Sequence, residues 1–140
     1  MQTNDFPPAA GEGTLEVFHK AKDAILQAAV ARSMRQVEYV APMGEEAENK
    51  IRAGFRFTLD ILESAMASGK AALLEDQMTW SMDRLPHDGV SPAHVMHNFG
   101  LFTDIIGEKL PKKAAAEVTA YFDWMIQRMQ GLIKAQQSTG

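Results

Sequence analysis

Apolar residues recur every three to four positions through five successive stretches of the chain, and that spacing predicts five amphipathic helices. The first runs from about Leu15 to about Tyr39. Thr14 is its expected N-cap, and Leu15, Phe18, Lys22, Ile25 and Ala29 form its stripe, with one lysine among apolar neighbours. Ala41-Pro42 should end it, because the residue before a proline avoids helical angles. The second begins near Gly44-Glu45-Glu46, where acids suit the positive end of a helix dipole. It carries Ile51, Phe55, Leu59, Leu62 and Met66 and should stop at Gly69. The third covers about Lys70 to Leu85, with Leu74, Met78, Ser81 and Leu85 on one face and Leu73 and Trp80 on its flank.

Between the third and fourth helices lies Leu85-Pro86-His87-Asp88-Gly89-Val90-Ser91-Pro92. Asp88-Gly89 suits a turn that needs positive φ. Ser91-Pro92 is a strong helix start, the serine hydroxyl capping free N–H groups and the proline tolerated at the first helical position. The fourth helix then carries Val95, Phe99, Phe102 and Ile106 and closes at Leu110-Pro111. The fifth runs from about Lys112 to Gln136. Its seam of Val118, Phe122, Met125, Met129 and Leu132 has a heptad-like rhythm, too short for a coiled coil, and Tyr121, Ile126 and Ile133 add a second apolar flank. Such a helix can face its own core and a partner together. No stretch shows strand alternation or internal repetition. The reading is all-α, globin-like or bundle-like, with 1–13 a mobile tail rich in Pro and Gly, 14–136 one domain, and 137–140 a flexible end.

Composition narrows the function classes. At 140 residues with 46% hydrophobic content, the chain can bury a core without staples. The absence of cysteine excludes thiol catalysis and thiolate metal sites and fits a reducing cytoplasm. A formal net charge of −4 argues against nucleic acid as a partner. No apolar run approaches the roughly 20 residues needed to span a bilayer, and no secretory signal is visible.

Three of the four histidines, His87, His94 and His97, crowd into one short tract. His94 and His97 are three apart on a helix and so neighbours on its surface, but neither His-Glu-x-x-His nor Glu-x-x-His surrounds them. Capping and packing explain them better than metal, haem or pH sensing, and no metal site is assigned. Ser81 and Ser91 lack a nucleophile-elbow context, and Glu45-Glu46 and Glu75-Asp76 read as solvated charge, so no catalytic set can be assembled. Nine methionines and a series of aromatics most simply build a core. They could also wall an inter-helical pocket for a flat or greasy ligand, for which Trp80, His94, His97 and Phe102 are the candidate lining residues.

The order of features is similar to that of a known class. An amphipathic helix pair is followed by Leu73-Leu74, Trp80, Leu85, the Asp88-Gly89-Val90-Ser91-Pro92 turn and helix, Leu110-Pro111 and a last amphipathic helix. This resembles the globin-like helical sensor domains of RsbR-type stressosome proteins and the helical regions preceding cobalamin-binding domains in bacterial regulators. The resemblance implies a non-catalytic bacterial regulatory module, dimerising through terminal helices and signalling to another protein. Globin-like relatives hold tetrapyrroles, whereas the stressosome type holds no haem, so no cofactor residue is carried over. On this reading Val118, Phe122, Met125, Met129 and Leu132 form a homodimer contact. With no further domain after the helices, the module acts alone or on a separate signalling protein. Binding of an apolar or tetrapyrrole-type cofactor between helices is the alternative.

Overall fold

The computed structural model describes residues 6–139, and side chains through residue 137. All regular structure among the described residues is helical. Six α-helices follow in order: α1 (Glu12–Met34), a single turn α2 (Val37–Val40), α3 (Ala47–Ser68), α4 (Ala71–Arg84), α5 (Pro92–Lys109) and α6 (Lys112–Thr139). Two 3-10 turns, Ala41–Met43 and Leu85–Asp88, complete the connections.

The predicted stripes become the core. Ile51, Phe55, Leu59, Leu62 and Met66 of α3 are buried, as are Leu74 and Met78 of α4 and Phe99, Phe102 and Ile106 of α5. Hydrophobic burial of this kind, rather than helix propensity, stabilises such elements. Gly69 terminates α3 in the left-handed region at φ 70°. Ser91 caps α5, its Oγ accepting from the His94 backbone N–H at 3.1 Å. Lys22, the odd member of the α1 stripe, is only half-buried; its Nζ reaches Asp60 at 2.6 Å and Glu63 at 2.7 Å on α3. Its stem lines the helix interface while its charge stays paired.

Several boundaries differ from the sequence reading. α1 starts at Glu12 with Gly11 at the N-cap, and Thr14 is buried inside its first turns. It ends at Met34 rather than near Tyr39, because the chain leaves helical angles at Gln36 (ψ 77°). No proline or glycine marks this break. It turns Tyr39 back so that its ring stacks on His94, with centroids 5.0 Å apart and planes 9° apart. Of the expected tail, residues 1–5 lie outside the described residues, and the remainder is fastened. Phe6 makes edge-on contacts with Tyr121 and Trp124 at 5.2 and 4.9 Å. The Tyr121 hydroxyl donates to the Pro8 carbonyl, Ala10 N–H bonds to the Met66 carbonyl at 2.9 Å, and Gly11 N–H to Glu117 at 3.1 Å. The expected flexible end at 137–140 is helical as far as Thr139, residue 140 lying outside the described residues.

The expected subunit seam lies inside the chain. Val118, Phe122, Met125 and Met129 are 0% exposed within the chain itself, where α6 packs against α5, α1 and α4. Their side chains belong to the interior of the chain. Leu132 is half-buried against the same core. On the second flank Tyr121 is covered by Phe6, which also packs on Trp124, while Ile126 and Ile133 are half-buried.

Candidate functional site

α3 and α4 form an antiparallel pair, and α5 packs on α1 and α6. The α3–α4 pair and α5 approach each other chiefly through side chains, of which Phe55 and Phe102 meet with ring centroids 4.9 Å apart. Above these rings a cleft of about 370 Å³ opens between α3, α4 and α5, bounded at one end by Met43 and the Leu85–Val90 turn. Its size lies at the lower end of the roughly 300–1,000 Å³ of small-molecule sites. Its walls are apolar: Ile51, Phe55, Met78, Val95, Phe99 and Phe102. At its mouth Phe57 and Trp80 remain 48% and 53% exposed, their rings 6.4 Å apart.

A few polar groups converge on this greasy space. Thr58 Oγ1 accepts from Gln77 Nε2 at 2.9 Å, which leaves Gln77 Oε1 buried without a hydrogen bond. Ser81 Oγ donates to its own helix at Gln77 O, 2.8 Å away, and so carries no reactive hydroxyl. Asn98 Oδ1 accepts from Ser33 Oγ at 3.0 Å, tying α5 to α1. His94 is 1% exposed, and neither ring nitrogen has a hydrogen-bond partner among the described residues. Burial, reinforced by the neighbouring His97, holds its pKa below the ordinary 6.5, so the ring is neutral near pH 7, with one donor and one acceptor unused. Unpaired buried polar atoms are costly, so a pair of them in a pocket wall calls for an explanation. At the same end Lys50 Nζ donates to the Met43 carbonyl at 3.2 Å and to no other group among the described residues, whereas Asp88 is matched by Arg84 at 3.5 Å.

The structure brings Trp80, His94 and Phe102 to this one cleft and leaves His97 outside it. His97 lines a separate hollow between α5 and α6 with Asp104 and Asp123. The two histidines share Tyr39, His97 lying 5.4 Å from that ring, but they do not face a common space. They therefore do not form a two-histidine ligand pair, and no group of three His, Cys, Asp or Glu side chains among the described residues could hold a metal ion. His87 is exposed on the turn. Sequence reasoning passed over Lys50, Thr58, Gln77 and Asn98. Thr58 and Asn98 carried a usable signal, since each sits at helical spacing within an apolar stripe, three after Phe55 and four after His94.

Comparison of the chain with known protein families, curated proteins and solved structures finds no match. Among the described residues, no helix is long and apolar enough to cross a membrane.

Proposed function

We propose that this chain is a non-catalytic, ligand-responsive regulatory module, in keeping with a globin-like sensor, and that its ligand is a small apolar or aromatic molecule. The observation that carries this reading is the apolar cleft of about 370 Å³ with an unpartnered, buried imidazole in its wall. A core residue with no partner costs stability, and a ligand that hydrogen-bonds it recovers that cost. Phe57 and Trp80, exposed at the mouth, would be covered on binding, which gives the bound state a distinct surface for a second protein to recognise.

Gly54 supplies the test. It lies on the cleft wall within α3, and a Cβ there meets nothing within 4 Å. Gly54→Leu fills the cleft while replacing glycine in a helix interior, a change worth up to about 1 kcal/mol in favour of folding. The neutral fluorescent probe N-phenyl-1-naphthylamine should bind the wild-type protein saturably at one site. Gly54→Leu should weaken that binding at least tenfold with an unchanged or raised unfolding midpoint. Equal binding by both proteins, or none by the wild type, would remove the proposal.

A further inference from the structure

The cleft has two unlike ends. Its deep middle is built from phenyl rings, Phe55 against Phe102 at 4.9 Å and Phe99 behind them. Its far end, where the Met43 and Leu85–Val90 turns meet, carries Lys50, His94 and Asp88. Asp88 is matched there by Arg84 at 3.5 Å, while the exposed Lys50 ammonium bonds a backbone carbonyl and no acidic side chain among the described residues. Of the two charged side chains that line that end, Lys50 is the one with no ion-pair partner among the described residues. His94 sits beside it, nine-tenths buried and more, with both nitrogens free of hydrogen-bond partners among the described residues. α5 also begins there, Ser91 taking one of its first N–H groups, so the positive end of a helix dipole adds to the same sign. Along α3 the distance from Lys50 to Thr58 is about 12 Å, eight residues at about 1.5 Å each, enough for one or two fused rings and a short acidic arm.

Taking the cleft as a ligand site, we infer that its ligand is an aromatic monocarboxylate, with the ring among Phe55, Phe99 and Phe102 and the carboxylate between Lys50 and His94. One carboxylate oxygen accepts from the Lys50 ammonium and the other from the His94 ring N–H, so one charge serves both donors, the second ring nitrogen taking no part. A doubly charged phosphate would meet a single unpaired cation with Asp88 close by, and an alcohol would leave the ammonium without an anion. Ring-on-ring packing favours an aromatic body over a flexible chain, whose rotamers would have to be frozen to fit.

Calorimetric titration of the full chain at pH 7.5 decides the matter, with 1-naphthaleneacetate, 2-(1-naphthyl)ethanol and decanoate as probes. The expected result is at least tenfold tighter binding of the naphthyl acid than of the naphthyl alcohol. Lys50→Met, at an exposed position, should abolish that preference while leaving the alcohol's affinity within twofold. An alcohol that binds as tightly as the acid, or a tenfold preference that survives Lys50→Met, overturns the inference. Decanoate binding as tightly as the naphthyl acid overturns the aromatic half of it. If N-phenyl-1-naphthylamine binds but the acid is not preferred, this inference falls and the cleft stands as a neutral site. If none of the probes binds, both fall together.

Discussion

Gly89 is the most constrained single position in the chain. Its φ of +84° is left-handed, and a Cβ there would lie 2.5 Å from the Pro42 carbonyl oxygen and 3.1 Å from the Met43 Cα. The close approach joins the Leu85–Asp88 turn to the Ala41–Met43 turn, and those two turns make the polar end of the cleft. Glycine thus meets two demands at once, a backbone angle and a contact between two loops. Gly89→Ala should destabilise the protein by about 3 kcal/mol, combining the strain of a non-glycine residue at positive φ with the displacement of Pro42. Urea denaturation measures this; a loss near zero would mean that the two turns do not abut. The Asp88-Gly89 pair was readable in the sequence, because turn chemistry is local. Its partner Pro42 was not, since nothing within the dipeptide encodes what packs against it.

At the scale of elements, periodicity told which face of each helix is apolar but not what covers it. The seam of α6 is a buried stripe on which four helices converge within one chain, which places it in the interior without deciding whether a second copy packs nearby. Val118, Phe122, Met125 and Met129 look the same in sequence whether the covering surface is intramolecular or a second copy. The two outcomes separate in solution. Met125→Asp places a carboxylate at a fully buried position and should cost at least about 4 kcal/mol, enough to erode cooperative unfolding. A folded variant of normal stability and halved mass by light scattering would restore the subunit role. The same limit explains the end of α1. Met34 to Tyr39 contains no breaker, and the break at Gln36 goes with Tyr39 packing onto His94 and His97, a contact across more than fifty residues of chain. Three of the four proposed lining residues reached one cleft, because His94 and Phe102 share the inner side of α5 and Trp80 borders the opposite wall. His97 did not, since three residues along a helix turn a side chain by about 60° from its neighbour, here toward α6.

For the whole molecule these local placements combine in the dependence of stability on pH. Four groups titrate on its acid side. His94 has its folded pKa depressed below 6.5 by burial and by His97. Glu63, Glu108 and Glu117 have theirs depressed below 4.5. For Glu63 burial opposes the shift, and hydrogen bonds from Lys22 and His19 outweigh it. Arg32 supplies the hydrogen bond for Glu108, and the Gly11 N–H followed by Thr14 for Glu117. On the alkaline side the Tyr121 hydroxyl, raised by burial, holds its proton above pH 10, and Lys22 keeps its charge above 10.5 because its bonds to Asp60 and Glu63 outweigh its burial. A depressed folded pKa means that the unfolded chain takes up the proton first, so the associated stability is complete above the unfolded value and is lost as pH falls. A raised folded pKa gives the reverse, with stability complete below the unfolded value and lost as pH rises. The profile should therefore be flat between about pH 7 and pH 10, the ordinary values of these groups marking its edges. It should decline in two acid limbs. The first begins as pH drops through about 6.5 and levels off once folded His94 is protonated; the second begins below about 4.5 with the carboxylates. Denaturant unfolding at half-unit pH steps resolves them. His94→Phe, which keeps a ring against Tyr39 and removes the titrating nitrogens, should erase the first limb and leave the second in place. A first limb that persists in His94→Phe would show that the imidazole in the cleft wall is not the group that produces it.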